Sequence, residues 1–544
     1  MGHDFVIEFM SHFILVYYYA IDLARVIDMN TVVNTEQKYV SVSRPRRFGK
    51  TIAANMLAAY YGRGNSRQMF EGRKVAECEN WDKYLNQFDV VRVVMTDFIK
   101  ENKEVSASLE KMTGRILDDL AGEYPDVKYD AEDLCYSMDK FYRRSGIPFV
   151  IIIDEWDAVF RNCKNDTDGQ KLYLDFLRDW LKDKEYVALA YMTGILPIKK
   201  YGKHSALNMF REFSVITPMQ LAKYTGFTED EVRKLCEGFG RDYERYKEWY
   251  DGYRVRDVIP PNPNYAAQEI NGKEVEAKRY SIYSPLSVVE AITSGIIQNY
   301  WNKTETYEAL AEYIRMDFDG LKETVAVLMD GGRARIDIST YRNDMTSFYS
   351  KDDVLTMLIH LGYLGYDTDT KEVFIPNHEI LDEFKTSTKF GEWTATFKSF
   401  RKSQELLKAT WEGKEEKVAE LLEWFHDTAE NKTYNSEAAL SYAVQMAYYA
   451  AQKYYTTIQE LDSGKGYCDI VYLPSPGNPE KPALLIELKY GKTVETVLDQ
   501  IRSRNYPQKL EHYEGNLLIV SINYEKDVPG GEEYKRHSCK IERA

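Results

Sequence analysis

A basic loop between an apolar strand and a helix is the segment of this sequence best suited to bind phosphate. The run 39–43 (YVSVS) predicts a buried strand, and the helix-forming run after Thr51 closes at Gly62. Between them, Gly49 lets the backbone close on phosphates, Lys50 can reach their oxygens, and Thr51 can ligate Mg²⁺ at a helix N-terminus. A purely structural strand-to-helix turn is the alternative. The predicted nucleotide-binding loop comprises Arg44, Pro45, Arg46, Arg47, Phe48, Gly49, Lys50 and Thr51.

Two carboxylates at the end of a second apolar run could bind Mg²⁺ and activate water, which nucleotide hydrolysis requires. Residues 148–157 read PFVIIIDEWD, a continuous run typical of a strand that is buried on both faces. Asp154 would hold the Mg²⁺, and Glu155 would polarise the water that attacks the γ-phosphate. The alternative is that Asp154, Glu155 and Asp157 cap a strand at a solvated loop. With the basic loop, this strand predicts ATP and Mg²⁺ as cofactors.

A second group of candidate catalytic residues lies on a predicted hairpin. The runs 467–473 and 483–489 flank a Pro/Gly turn, which predicts two paired strands. Because side chains alternate along a strand, Glu487 and Lys489 share a face, and the paired strand can bring Asp469 beside them. Asp469 and Glu487 would bind Mg²⁺, and Lys489 would orient the attacking water or stabilise charge on the phosphorane, as a nuclease requires. The alternative is an exposed hairpin end with a salt bridge.

In their order along the chain, these motifs resemble the bacterial AAA-ATPase-like proteins that carry a C-terminal PD-(D/E)XK nuclease domain. An arginine usually replaces the first loop glycine in that family, so Arg44 fits the pattern. The resemblance extends over most of the chain. It includes TGILPIKKYGKHSALNMF from Thr193, FTEDEV from Phe227, KEWYDGY from Lys247, SIYSPLS from Ser281, Tyr300-Trp301 with Thr304, and FIPNHE from Phe374.

The resemblance also implies roles for three further polar residues. Thr193 stands where related ATPases place a residue that senses the γ-phosphate, although a Thr-Gly pair at a strand end also suits a simple turn. Glu437 and Gln500 match polar positions that flank the nuclease core. Glu437 equally suits the first turn of a helix, where the helix dipole favours a carboxylate. Gln500 equally suits a solvated helix face.

The fold implied by the resemblance is α/β with three parts. A P-loop NTPase domain with a parallel sheet spans residues 1–225, a mainly helical middle region spans 226–395, and an α/β restriction-endonuclease-like domain spans 396–544. Thr228 and Glu231 predict a capping box, and the Pro-containing run 254–277 predicts a loop or short hairpin. The apolar stripe of 403–425 predicts a charged amphipathic helix that packs in a core. Helices over 435–452 and 493–504 would flank the hairpin.

Net charge, cysteine spacing and the apolar run near the N-terminus limit which partners and which cellular compartment are expected. The net charge of −15 over 544 residues counts against a protein that binds nucleic acid strongly and without sequence specificity. Any contact with nucleic acid would therefore use local clusters of basic residues. The six cysteines show no spacing typical of zinc sites, which fits a reducing cytoplasm without a structural metal cluster. The apolar run 13–21 is too short to cross a membrane, and it lacks the flanks of a signal peptide. Next to it, Asp22-Leu23-Ala24 departs from the Asp-Lys-Thr of the family.

The sequence favours an intracellular ATPase whose nucleotide state gates a metal-dependent phosphodiesterase, with DNA favoured over RNA as the substrate. One alternative is a nucleotide-switched binding protein whose nuclease-like domain is catalytically inactive. A second alternative keeps the ATPase and makes the C-terminal domain a structural or oligomerisation module. The oligomeric state stays open, and so does any arginine supplied by a neighbouring subunit.

Overall fold

The structure, a computed structural model, consists of two compact units. The first combines Met1–Tyr313 with Arg335–Phe384, and the second combines Ile314–Ala334 with Lys385–Ala544. The three domain ranges predicted from sequence stay a prediction. The structure describes residues 29–79, 81–99, 104–198, 207–224, 226–257, 278–301, 307–316, 318, 320–342, 345–346, 348–389, 393–428, 437–462, 467–475, 477–490, 510, 513, 515–525 and 537–543.

A parallel sheet of five strands forms the centre of the first unit, with the order β2-β3-β4-β1-β5. All residues of β1, β3 and β4 are buried, because both faces of the sheet are covered. This confirms the parallel sheet expected for the first domain. The strands are β1 (Tyr39–Ser43), β2 (Asp89–Val94), β3 (Phe149–Asp154), β4 (Val187–Gly194) and β5 (Arg211–Phe213).

The strand register brings the carboxyl ends of three strands to one edge of this sheet. Ser43 of β1 pairs with Gly194 of β4, and Ile153 of β3 pairs with Met192 of β4. In open parallel sheets ligands bind at this edge. The helix Lys50–Tyr61 starts there and ends before Gly62, as the sequence predicts.

The rest of the first unit is mainly helical, with two small sheets ordered β6-β8-β7 and β10-β11-β9. The predicted capping box is present, since the Glu231 N–H donates to the Thr228 hydroxyl at 3.4 Å and the Thr228 N–H donates to the Glu231 carboxylate at 2.8 Å. β7 and β8 pair antiparallel as a hairpin whose connection, 258–277, lies outside the described residues. The strands are β6 (Phe227–Thr228), β7 (Tyr253–Asp257), β8 (Lys278–Tyr283), β9 (Ala334–Arg335), β10 (Gly365–Asp367) and β11 (Glu372–Phe374).

The second unit contains a mixed sheet of five strands in the order β12-β13-β14-β15-β16. β13 and β14 pair antiparallel, which confirms the predicted hairpin, and β14 pairs parallel with β15. One sheet face, which includes Ile486 and Ile522, packs against helices, whereas a smaller core that includes Leu485 and Ile519 covers the other. The strands are β12 (Tyr455–Asp462), β13 (Tyr467–Pro474), β14 (Ala483–Tyr490), β15 (Leu517–Tyr524) and β16 (His537–Arg543).

Helices supply most of the remaining regular structure. Within the described ranges, none of them combines the length and apolar character that crossing a bilayer requires. The α-helices are Lys50–Tyr61, Arg67–Phe70, Val105–Glu123, Leu134–Ser145, Ala158–Asn162, Thr167–Leu181, Glu229–Gly238, Tyr243–Tyr250, Pro285–Ser294, Tyr307–Ile314, Leu321–Met329, Lys351–Leu361, His378–Ser387, Trp393–Trp411, Glu415–Thr428 and Glu437–Ala447. Short 3₁₀ helices span Lys74–Glu77, Met95–Asp97, Met219–Tyr224 and Tyr449–Lys453.

The continuous helix expected over 403–425 is wrong, because the chain forms two helices there. Gly413 has a φ of 67° and ends the first helix, and the Lys414 N–H donates to the Ala409 carbonyl at 2.9 Å. The expected burial is confirmed, since Leu406, Val418 and further apolar residues of both helices lie in one core. The helix expected over 435–452 is shorter, ending at Ala447 before the 3₁₀ helix Tyr449–Lys453.

Replacing Gly252 by alanine tests how tightly the first unit is packed. Gly252 has a φ of 128°, and an added Cβ would lie 1.9 Å from the Pro376 carbonyl oxygen. We expect Gly252→Ala to lower the free energy of unfolding by roughly 2 kcal/mol or more, measured by calorimetry and urea unfolding.

Gly238→Ala is the matched control, because an added Cβ there meets no atom within 4 Å. Gly238 ends a helix, so alanine should leave stability unchanged or raise it slightly. Equal unfolding midpoints for the two variants would contradict the close approach of Gly252 to Pro376.

Candidate functional site

Two residues with left-handed backbone conformations shape the loop between β1 and the helix Lys50–Tyr61. Arg47 has a φ of 68°, and Gly49 has a φ of 77°. Residues that alternate into the left-handed region can form concavities of backbone N–H groups that bind anions. The helix start adds N–H donors, and no side chain caps it. The loop geometry therefore suits a phosphate group.

The Lys50 ammonium lies buried inside this loop. Its Nζ donates to the carbonyl oxygens of Arg44 at 2.9 Å and Pro45 at 2.8 Å. Burial lowers the pKa of Lys50 to about 8, and the carboxylates of Asp157 and Asp154 oppose that shift. The amine is therefore mostly protonated at about pH 7, which places a positive charge at the loop.

Asp154, the last residue of β3, is fully buried beside Thr193 of β4. Its Oδ1 accepts hydrogen bonds from the Thr193 hydroxyl and from the Glu155 N–H. Among the described residues, none donates a hydrogen bond to its Oδ2, and the Arg92 guanidinium lies 3.8 Å from that oxygen. A buried carboxylate oxygen without a hydrogen bond is costly unless a cation compensates it, so this atom suits a divalent ion such as Mg²⁺.

The two carboxylates that follow differ in their surroundings. Asp157 is fully buried, and its Oδ2 accepts from the N–H groups of Ile195 at 3.1 Å and Leu196 at 2.9 Å. Asp157 therefore holds the turn after β4. Arg161 lies 3.1 Å from the Glu155 carboxylate and 3.3 Å from Asp157. Arg161 is not among the residues predicted from the sequence, although its four-residue spacing from Asp157 is a signal for an ion pair on a helix.

The other predicted loop residues lie at different depths. The Arg44 guanidinium is buried and donates to the carbonyl oxygens of Ser43 at 3.0 Å and Phe213 at 2.8 Å, so it joins the loop to β5. Thr51 is exposed on the first turn of its helix. Pro45 and Phe48 are buried, and Arg46 and Arg47 are half-buried.

Residues from the middle of the chain contact the loop directly. The Arg47 guanidinium lies 4.9 Å from the centre of the Trp301 ring, and it donates to the Tyr300 carbonyl oxygen at 3.3 Å. The Phe48 ring packs edge-on against Tyr253, with ring centres 5.0 Å apart. A movement of the loop would therefore disturb these aromatic contacts.

A buried carboxylate, Glu379, fixes the backbone that carries Trp301. Its Oε1 accepts from the N–H groups of Tyr300 at 2.7 Å and Trp301 at 2.9 Å. Its Oε2 accepts from the Ser287 hydroxyl at 2.8 Å. Burial raises the pKa of Glu379 to about 7, although these hydrogen bonds and the positive charge of Arg47 oppose the shift. From the sequence, Glu379, Tyr300, Trp301 and Ser287 were identified only as parts of segments that resemble the family, and no role was predicted for them.

In the second unit, the structure places the predicted nuclease residues on adjacent strands. Glu487 of β14 is buried and pairs with Ser521 of β15, which is also buried. The pairing of β13 with β14 runs from Tyr472 opposite Leu484 to Ile470 opposite Ile486. Continued by one residue, this register would set Asp469 opposite Glu487, on one sheet face.

The remaining predicted nuclease residues are described only in part. Asp469 and Lys489 are strand residues, but their side chains lie outside the described part of the structure. Glu437 is the first residue of the helix Glu437–Ala447, and its side chain likewise lies outside it. Gln500 and its predicted helix fall outside the described residues altogether.

Comparison with known proteins finds two family models that match separate parts of the chain. Residues 9–202 match a model described as predicted AAA-ATPase. Residues 440–528 match the PD-(D/E)XK nuclease superfamily. Their order confirms the two-part architecture that the resemblance implied. No curated protein matches the chain.

The solved structures that are similar to this chain include two ORC proteins and one Cdc6 protein. The Aeropyrum pernix ORC2 protein, solved as ADPNP and ADP complexes, has 9% identity and a TM-score of 0.29 over 69% of this chain and 91% of its own. Cdc6p from Pyrobaculum aerophilum has 11% identity and a TM-score of 0.22 over 69% and 92%. Aeropyrum pernix ORC1, solved in complex with DNA, has 13% identity and a TM-score of 0.21 over 67% and 89%.

The raised pKa of Glu379 predicts a specific dependence of stability on pH. Between its ordinary value of 4.5 and about 7, the folded protein keeps a proton that the unfolded chain has lost. Stability should therefore fall as the pH rises through this window and level off above it. Glu379→Gln keeps an oxygen acceptor without the titration, so it should flatten the profile and stabilise the protein by up to roughly 3 kcal/mol at about pH 8.

Urea unfolding of the native chain and the variant at about pH 5 and about pH 8 measures this difference. Glu237→Gln is the control, because Glu237 is exposed and should leave the profile unchanged. Parallel pH profiles for the native protein and Glu379→Gln would show that Glu379 does not titrate in this window.

Proposed function

We propose that the first unit binds ATP with Mg²⁺ and hydrolyses it. The observation that carries this proposal is the pair of buried, oppositely charged groups at one sheet edge, the Lys50 ammonium and the Asp154 carboxylate. Lys50 donates to two carbonyl oxygens of its own loop, and Asp154 has one oxygen that accepts no hydrogen bond from the described residues. Burying such groups is costly, and a magnesium nucleotide would compensate both of them.

The loop residues would bind the phosphates, and the strand ends would arrange the reaction. Residues 44–51 would surround the phosphate groups, with Lys50 exchanging a carbonyl acceptor for a phosphate oxygen. Thr51 and Asp154 would hold Mg²⁺, which neutralises negative charge on the nucleotide. Glu155, oriented by Arg161, would polarise the attacking water. Thr193, already bonded to Asp154, would respond to the γ-phosphate.

Substitutions at Lys50 and Glu155 separate binding from hydrolysis. We expect Lys50→Ala to weaken ATP binding at least about tenfold, because it removes a charged hydrogen-bond donor to phosphate. Glu155→Gln should retain binding and lower the hydrolysis rate by about 100-fold or more, because it removes a general base. Fluorescent-nucleotide titration and phosphate release measure the two quantities.

Lys111→Ala is the matched control, since Lys111 is an exposed lysine of the helix Val105–Glu123. It should bind and hydrolyse ATP like the native chain. Native-like ATP binding by a folded Lys50→Ala protein would remove the basis for a phosphate site in this loop.

For the second unit, we propose a Mg²⁺-dependent nuclease-like domain that acts on nucleic-acid phosphodiesters. Glu487 supports the proposal, because a buried carboxylate on the strand face that would also carry Asp469 and Lys489 is the donor type that Mg²⁺ prefers. Asp469 and Glu487 would hold the ion, which supplies Lewis-acid stabilisation, and Lys489 would orient the water. Glu437 and Gln500 would be accessory residues. The alternative is an inactive domain that only binds a partner, switched by nucleotide.

The partner and the compartment belong to the same proposal. DNA is the favoured nucleic acid, and the nucleotide state of the loop would gate its cleavage. A bacterial cytoplasm is the proposed location. Five described cysteines that form no disulfide support it, namely Cys78, Cys135, Cys163, Cys236 and Cys539.

Nuclease assays test the second unit. The native chain should cut linear or circular DNA with Mg²⁺ or Mn²⁺, and both Glu487→Ala and Lys489→Ala should lower the rate by about 100-fold or more. Glu480→Ala is the matched control, because Glu480 is an exposed residue of the connection between β13 and β14. The same assays with RNA test the preference for DNA, and reactions without ATP test whether nucleotide gates cleavage.

The outcomes distinguish the alternatives. If no substrate is cut while ATP still binds, the binding protein with an inactive domain becomes the better account. If cutting is lost equally in Glu480→Ala, the assigned site is wrong. If Lys50→Ala abolishes ATP binding but leaves cleavage and its ATP response unchanged, the proposed gating is wrong.

A further inference from the structure

Three ligand-type side chains from a helix and a strand meet inside the second unit. Glu423 and His426 lie one turn apart on the helix Glu415–Thr428, and His537 is the first residue of β16. Their candidate ligand atoms all lie within 4.8 Å of one another. Nδ1 of His537 is 2.8 Å from Oε2 of Glu423. Neighbours on different elements thus form a compact group of two imidazoles and one carboxylate.

The group is largely buried, and its carboxylate is more exposed than its imidazoles. Both histidines are 3% exposed, whereas the Glu423 side chain is 17% exposed. The Tyr524 ring packs against both imidazoles, with ring centres 5.1 Å from His426 and 5.2 Å from His537. The imidazole centres are 5.4 Å apart, with the rings nearly perpendicular at 81°. Packing holds the histidines in place, and Glu423 marks a route from solvent.

This group is separate from the proposed nuclease site. His537 pairs with Tyr524, and Glu487 pairs with Ser521. Tyr524 and Ser521 are three residues apart on β15, so their side chains lie on opposite faces of the sheet. The cores agree, since Tyr524 belongs to the helix-covered face, whereas Leu517 and Ile519 belong to the other.

The donor set selects a class of ion. Two imidazole nitrogens and one carboxylate oxygen are typical ligands of Zn²⁺, with a fourth position left for water or another ligand. Mg²⁺ prefers oxygen ligands and would not favour this group. Ligand atoms on one tetrahedral zinc are about 3.3 Å apart, so ion binding would draw together ligand atoms that now lie within 4.8 Å of one another.

We propose that Glu423, His426 and His537 bind one Zn²⁺-class ion that ties β16 to the helix Glu415–Thr428. The ion binds the folded chain more tightly than the unfolded chain, because β16 and the helix are far apart in sequence. Ion binding therefore stabilises the second unit.

Metal titration of the full chain tests the site. The protein is freed of metal with a chelator and titrated with Zn²⁺ and with Co²⁺, and bound metal is counted by mass spectrometry. We expect about one tight Zn²⁺ per chain, visible absorbance of tetrahedral Co²⁺, and a higher unfolding temperature with Zn²⁺. His426→Gln and Glu423→Gln should each weaken Zn²⁺ binding by at least about 100-fold.

Two controls keep the interpretation unambiguous. Glu487→Ala removes the proposed nuclease ligand and should still bind the tight Zn²⁺, and His378→Ala changes an exposed histidine of the first unit and should do the same. The proposal is overturned if the tight Zn²⁺ is lost in Glu487→Ala but kept in His426→Gln, or if no tight Zn²⁺ binds to the folded native chain.

Discussion

The parallel pairing of β1, β3 and β4 is the constraint on which the first site depends. Because parallel strands all end at the same edge, the loop after β1, the carboxylates after β3 and the hydroxyl at the end of β4 meet there. The strands can be parallel only because helices cover both faces and let every strand residue be buried. The apolar character of these strands is therefore what brings Lys50, Asp154 and Thr193 together.

Burial at this edge sets the electrostatics of the site. Lys50, Asp154, Asp157 and Arg161 lie out of water, so each charge depends on its neighbours for compensation. Asp157 is compensated by Arg161 and by backbone N–H groups, whereas one oxygen of Asp154 accepts no hydrogen bond within the part of the chain that the structure describes. A cation–π contact between Arg47 and Trp301 holds the loop in the same unit. The backbone N–H of Trp301 in turn donates a hydrogen bond to Glu379. Loop conformation and the ionisation of a buried carboxylate are thus physically linked.

The mixed sheet of the second unit places two groups of polar residues on its two opposite faces. Alternation along β14 and β15 directs Glu487 and Ser521 to one face, and Tyr524 with its partner His537 to the other. The helix-covered face holds most of the apolar core and the two buried histidines. A single register thus places the Glu487 carboxylate on one side and the His537 imidazole on the other. A shift of one residue would exchange the faces and expose the core.

The sequence by itself determined the local units of this protein: the strand, loop and helix around Lys50, the carboxylate strand ending at Asp154, and the hairpin that carries Glu487. Their signals are continuous apolar runs, turn residues and helix formers, which act over short distances. The break at Gly413 was missed because the apolar stripe continues on both sides of it. Only the tertiary structure decided the contacts between distant segments, such as Glu379 with the backbone of Trp301 and Glu423 with His537. These depend on packing and strand register, which bring together residues that no local pattern relates.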